Sequence, residues 1–318
     1  MSDLLLEIEE LYVEFRTATG SIIANQNINL DIHSGDCLAV VGESGSGKST
    51  LGMTLLGLLP QNAFVKVKRL IFNNIAMTQM SEKSKREICA RETGIVFQDA
   101  NCLNPLLSIG KQLAEVINLR SRKNLGSIKK EVLKSLEEVC FPIERDPFKI
   151  YPHELSGGLA QRVMIAIALA RNPKLIIADE STSSLDVTIQ AEIVELFKEL
   201  VAKKNLTIIF ITHDIALASQ FCNKIAVLYA GMLVEKGDIR EILRNPMHPY
   251  TRGLLRAMPQ NIAANKPFLA IPGKVEIVER LYKLCPFLSR CSEKIDHCIF
   301  EMPPRVHGPS REFLCWKK

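Results

Sequence analysis

Long apolar runs are missing from this chain. None approaches the ~18–20 consecutive apolar residues that a bilayer-spanning helix needs. The opening residues, Met1-Ser2-Asp3-Leu4-Leu5-Leu6-Glu7, hold neither a basic leader nor a small-residue cleavage site, so no signal peptide is expected and the cytosol is the expected compartment. Basic residues are scattered rather than striped. With a net charge of only +5, nucleic acid is not an expected partner. No internal repeat and no low-complexity tract occurs. Paired C-x₂₋₄-C knuckles, the usual mark of a zinc module, are also absent, although the chain carries nine cysteines.

What is present suits a large α/β domain with a smaller appendage: 318 residues, 47% hydrophobic and 24% charged. Alternation predicts strands over 5–15 and 22–32, and short apolar runs predict buried strands over 37–41, 175–178, 207–211 and 225–229. Strands are also expected over 68–72 and 94–97. Helices are expected from Thr50 to a stop at Pro60, over 187–203, and through most of 104–172 with breaks at Pro142, Pro147 and Pro152. Strands alternating with helices indicate a wound sheet. After about Gly237 prolines become frequent, and the pattern predicts a linker into a small, irregular C-terminal module.

Between the strand 37–41 and the following helix lies Gly42-Glu43-Ser44-Gly45-Ser46-Gly47-Lys48-Ser49-Thr50, which fits G-x-x-x-x-G-K-[ST]. Gly42, Gly45 and Gly47 free the backbone so that amides, Ser44 included, wrap a β-phosphate, and the helix adds a positive N-terminal field. Lys48 is expected to reach the β/γ-phosphates, Ser49 to bind Mg²⁺, and Thr50 to contact the α-phosphate. A chance glycine loop is the competing reading; its strand–loop–helix setting argues against it. Further along, Asp179-Glu180 ends an apolar run and Ser156-Gly157-Gly158 precedes a helical segment. Alone, the first is equally a solvated acidic pair and the second an ordinary helix cap.

Taken in order, the glycine loop, Gln98, Leu155-Ser156-Gly157-Gly158, Ala178-Asp179-Glu180 and His213 resemble the ATP-binding cassette of ABC transporters. The resemblance implies a P-loop NTPase fold, a RecA-like core sheet plus a helical subdomain at about 104–172. The cassette would occupy residues 1–237 and an extension residues 238–318. It implies Mg²⁺ held by Ser49 and Gln98, with Asp179 acting through water, and Glu180 as the general base. His213 is the γ-phosphate contact, and Asp186 follows Ser184-Leu185 in a D-loop. The cap Ser156-Gly157-Gly158 would contact ATP bound by the opposite subunit, which makes a second, related ATPase a required partner. Phe15 sits where the family places an adenine-stacking aromatic, with Tyr12 the rival and core packing the plain alternative. Two departures stand out: Leu159 replaces the usual Gln after the cap, and Ser181 replaces the usual Pro after Glu180. The stretch Gln98–Pro105 is also one residue shorter than usual.

Asn245-Pro246-Met247-His248-Pro249-Tyr250-Thr251 resembles a stretch typical of dipeptide/oligopeptide/nickel importer ATPases. That narrower resemblance implies a peripheral subunit on the cytoplasmic face of the membrane. Its partners would be two transmembrane permeases and an extracytoplasmic binding protein, and its role ATP-driven import of short peptides. Nickel, a metal chelate or another small solute remains an alternative cargo, and a soluble ABC ATPase outside transport the rival class.

Four of the nine cysteines, Cys285, Cys291, Cys298 and Cys315, crowd into the tail with spacings x₅, x₆ and x₁₆. Four thiols suit zinc or an iron–sulfur cluster, or stay unmetallated; a disulfide does not suit a reducing cytosol. Similarity to family tails associated with a [4Fe–4S] cluster favours the cluster, as a structural clip for a segment too small to build its own core.

Overall fold

The computed structural model describes residues 3–18, 20–97, 102–121, 125–181, 186–258, 271–275 and 282–317. The chain divides into two compact units, one formed by residues 1–85 with 210–318 and the other by residues 86–209.

The first unit begins with two long antiparallel strands, β1 (Leu4–Thr17) and β2 (Gly20–His33), paired from Leu4–His33 to Thr17–Gly20. Leu6, Ile8, Leu11 and Val13 face the core while the intervening acidic residues face outward, the alternation of a half-buried strand. β3 (Cys37–Val41) is buried at every position and leads through the glycine loop into α1 (Lys48–Leu56). α1 stops at Leu56, ahead of the expected Pro60, because the Gly57 amide donates to the Met53 and Thr54 carbonyls and closes the last turn. β4 (Ala63–Lys66), β5 (Arg69–Phe72) and β6 (Ile75–Ala76) complete a sheet of order β2-β1-β5-β6, with β4 beside β1.

α2 (Glu82–Glu92) leads into the second unit, where β7 (Thr93–Val96) is followed by α3 (Ile109–Ser121) and α4 (Leu125–Glu137). Ile109, Leu113 and Ile117 fall on one face of α3, and Ile128, Val132 and Leu136 on one face of α4; each set recurs every fourth residue and is buried. Pro147 and Pro152 open short 3₁₀ turns before α5 (Gly157–Leu169). β8 (Leu175–Asp179) pairs in parallel with β7, and α6 (Val187–Lys204) completes the unit.

The chain returns to the first unit through β9 (Thr207–Thr212) and α7 (Ile215–Ala218). β10 (Lys224–Tyr229) lies parallel to β3, and β11 (Met232–Asp238) antiparallel to β10. α8 (Ile239–Arg244) and α9 (Pro249–Arg256) follow, then β12 (Arg305–His307) and β13 (Arg311–Leu314). β13 pairs with β11 through Glu235–Phe313 and Gly237–Arg311, so the tail is not wholly irregular: its last strand continues the sheet that carries β3. Among the described residues no helix is long and apolar enough to cross a membrane.

Phe197 of α6 is fully buried. Phe197→Ala should therefore cost about 3–5 kcal/mol, read as a lowered urea midpoint with an unchanged denaturant slope.

Candidate functional site

The glycine loop is held by its surroundings more than by its own residues. Gly47 caps α1 at φ 96°, and a Cβ there would lie 2.3 Å from the Ala24 carbonyl oxygen, so only glycine fits. The Ser46 carbonyl accepts from the Gly231 amide at 3.0 Å and the Gly47 carbonyl from Asn25 Nδ2 at 3.2 Å. The Glu43 amide donates to Tyr250 Oη at 2.9 Å. Lys48 is 5% exposed, and its ammonium donates to the carbonyls of Gly42 at 2.9 Å and Glu43 at 3.0 Å. A cation thus sits inside the loop beside a helix N-terminus, an arrangement that attracts an anion. Ser44, Gly45 and Ser49 face solvent, Gly42 is buried, and Thr50 is half-buried at the start of α1.

Of the two aromatic candidates on β1, Tyr12 packs edge-on to Phe64 at 6.5 Å and donates its hydroxyl to Glu14 at 2.8 Å. Phe15 is half-buried, paired with Ile22 on β2 and Ala63 on β4. His213 follows directly on β9 and is exposed. Asp214, next to it, caps α7 by accepting from the Leu217 amide at 2.9 Å.

In the second unit, Asp179 closes β8 and Glu180 follows at φ 44°. That left-handed backbone costs a non-glycine residue of order 1–3 kcal/mol, and it turns the chain sharply off the strand end with both carboxylates half-buried. Ser181, where a proline is usual, is buried, and its hydroxyl has no hydrogen-bond partner among the described residues. Ser156 caps α5, accepting from the Leu159 amide at 3.4 Å, and both Ser156 and Gly157 are exposed. This helix N-terminus is therefore open to solvent, with its positive field turned outward. Gly158 is buried against α6, where a Cβ would meet Ile189 Cγ2 at 2.8 Å. Asp186 caps α6 by accepting from Thr188 at 3.1 Å and Ile189 at 3.0 Å. Gln98, Ser184 and Leu185 lie outside the described residues.

The four tail cysteines line one pocket in the first unit, together with His248 and Trp316. Burial pushes the Cys285 thiol up to about 12 and raises Cys291 and Cys315 as well. Burial, and then the charge of Arg252, lowers His248 to about 3, so its imidazole is neutral. Its Nδ1 accepts from the Tyr250 amide at 3.1 Å, and its Nε2 lies 4.0 Å from the Cys285 sulfur. The thiols converge on one cavity, and their donor chemistry fits a thiophilic group; among the described residues no three His, Cys, Asp or Glu side chains form a group able to hold a metal ion. Sequence pattern also missed Tyr250 and Arg290 as partners of Glu43, because no local spacing links residues this far apart.

The family described as ABC transporter matches residues 25–183, and the one described as oligopeptide/dipeptide transporter, C-terminal region, matches residues 234–298. The chain is 39% identical over 317 residues to the oligopeptide transport ATP-binding protein OppD of Escherichia coli (strain K12), covering 99% of this chain and 94% of that protein. It is 37% identical over 315 residues to the dipeptide transport ATP-binding protein DppD of Bacillus subtilis (strain 168), covering 98% of this chain and 94% of that protein. Among solved structures, the dimeric post-hydrolysis state of the ATP-binding cassette MJ0796, bound to ADP and Pi, is similar with a TM-score of 0.65 and 30% identity. That match covers 74% of this chain and 99% of the other.

Asp186 accepts from two amides at the start of α6. Asp186→Ala should lower stability by about 1 kcal/mol, seen as a fall in thermal midpoint that Asp186→Asn largely avoids.

Proposed function

This chain belongs to the ABC transporter family, and on that premise we propose that it is the ATP-hydrolysing subunit of an importer for di- or oligopeptides. The observation that carries the cargo class is the identity of 39% to an oligopeptide transport ATP-binding protein over nearly the full length of both chains. The match of residues 234–298 to an oligopeptide/dipeptide transporter C-terminal region supports it. The chain works at the cytoplasmic face of the membrane beside a second, related cassette and two permeases, with an extracytoplasmic binding protein delivering the peptide.

The loop residues Gly42, Ser44, Gly45 and Gly47 offer backbone amides to the phosphates. Lys48 leaves its two carbonyl acceptors to meet the β/γ-phosphates, exchanging weak neutral acceptors for charged ones. Thr50 contacts the α-phosphate and Phe15 stacks on adenine. Ser49 and Gln98, with Asp179 acting through water, would hold Mg²⁺, which would neutralise charge on the phosphates. Glu180 accepts a proton from the attacking water, and its left-handed backbone turns the chain off the strand end at that residue. His213 hydrogen-bonds the γ-phosphate. The cap Ser156-Gly157-Gly158, exposed at its first two residues, closes on ATP held by the partner cassette, and Asp186 caps α6 behind the buried Gly158. Hydrolysis here is positioning plus electrostatics, the usual economy of phosphoryl transfer to water. The four tail thiols, soft donors gathered around one pocket, would hold an iron–sulfur cluster as a structural clip, with zinc the other thiophilic occupant.

Glu180→Gln should leave ATP binding intact and reduce steady-state hydrolysis by at least about 10²-fold, trapping a nucleotide-bound dimer visible by gel filtration; normal turnover would remove Glu180 from the role of base. Iron and acid-labile sulfide should be present in anaerobically prepared protein and absent from Cys285→Ser, which still binds ATP. Zinc in place of iron would reject the cluster. Peptide uptake by the reconstituted complex tests the cargo, and uptake of nickel alone would overturn it.

A further inference from the structure

Glu43, at the second position of the glycine loop, is engaged through every polar group it has. Its carbonyl accepts from the Lys48 ammonium at 3.0 Å and from the Ser46 amide at 3.2 Å. Its amide donates to Tyr250 Oη at 2.9 Å. Its carboxylate receives a two-pronged contact from Arg290, Nη1 to Oε2 at 2.6 Å and Nη2 to Oε1 at 3.0 Å. Tyr250 lies on α9, and Arg290 immediately precedes Cys291 of the thiol-lined pocket.

Arg290 is built in rather than draped on the surface. Its side chain is 6% exposed. Nε donates to the Pro272 carbonyl at 2.7 Å, and Nη2 also reaches the carbonyls of Ile271 and Gly273, each at 3.3 Å. Nη1 also donates to Tyr229 Oη at 3.3 Å, and the guanidinium lies 5.6 Å from the Tyr229 ring centre and 5.9 Å from that of Phe287. An exposed ion pair contributes roughly 0–1 kcal/mol. A partly buried, bidentate one whose guanidinium is fully hydrogen-bonded instead fixes geometry, because its planar fork admits one arrangement. That arrangement ends on the residue whose carbonyl holds Lys48.

We propose that Arg290 is a positioning residue for the phosphate-binding loop: with Tyr250 it fixes Glu43, and so makes ATP affinity depend on the folded C-terminal extension. The proposal rests on the reading of residues 42–50 as the ATP-binding loop. It asks nothing of a metal in the thiol pocket.

The test is MgATP titration by calorimetry into the full-length chain and its variants. Arg290→Met should raise the Kd about tenfold, equivalent to about 1.4 kcal/mol, and Glu43→Gln should do the same. The double variant should be no more than about twofold worse than either single one, since both remove one link. Arg290→Lys, which keeps the charge and loses the fork, should fall between parent and Arg290→Met. Losses that multiply in the double variant would overturn the proposal. So would a lowered melting temperature with unchanged ATP affinity, which assigns Arg290 to folding alone. Should Arg290→Met fail to fold, Glu43→Gln decides by itself: parental affinity there rejects the link. Lys48→Ala is the control for the loop. If it leaves ATP binding unchanged, the loop reading falls and the proposal with it. If it abolishes binding while Arg290→Met and Glu43→Gln do not weaken it, the proposal alone is lost.

Discussion

A loop that grips phosphate through its backbone has to have its amides aimed before the anion arrives, because reorganising several peptide units at the moment of binding would consume the affinity they supply. Glycine-rich sequence works against this, since glycine is the residue least able to fix its own backbone. The solution in this chain is external. A wholly buried strand, β3, delivers the loop, and α1 receives it. Asn25, Gly231 and Tyr250 hold its carbonyl and amide groups from three other elements. Permissive residues make the turn sterically feasible, and non-local hydrogen bonds make it singular.

The second unit shows the complementary arrangement. Ser156 and Gly157 are left open to solvent at the tip of α5, while the next residue, Gly158, is pressed onto Ile189. One face of the cap is anchored and the other is free. Asp186, expected from resemblance to belong to the D-loop, caps the helix that carries Ile189, so its structural duty is visible even where its neighbours are not described. Glu180 carries the local cost of the design in its backbone. A strand end that must present two consecutive carboxylates has to break its own alternation, and the left-handed step does so.

Sequence was most readable where one residue type repeats for one reason. The apolar runs 37–41 and 175–178 announced strands buried on both faces, and β3 and β8 begin at those residues. The helix over 187–203 was equally plain, and α6 extends it by one residue. α2 escaped notice because Glu82–Glu92 is almost entirely polar, with Cys89 its buried residue. The β11–β13 pairing escaped because it is distant: three residue pairs near Glu235 and Phe313 join segments far apart in the chain. The same limit hid Arg290. A motif reports what adjacent residues can do together, whereas the ion pair to Glu43 exists only once the chain has folded back on its beginning. The thiol spacing predicted a gathered set of cysteines, and the pocket gathers them, but spacing alone does not fix ligand geometry.

The place of β13 has a consequence for biosynthesis. Arg311–Leu314 supply the ladder that covers β11, and they are synthesised long after it. Until then the nascent chain carries an uncovered strand edge over Glu235–Gly237, with amides and carbonyls open to chance pairing. A chain that has made β11 but not yet β13 is therefore adhesive, and arrival of the late strand is what makes the sheet safe in a crowded cell.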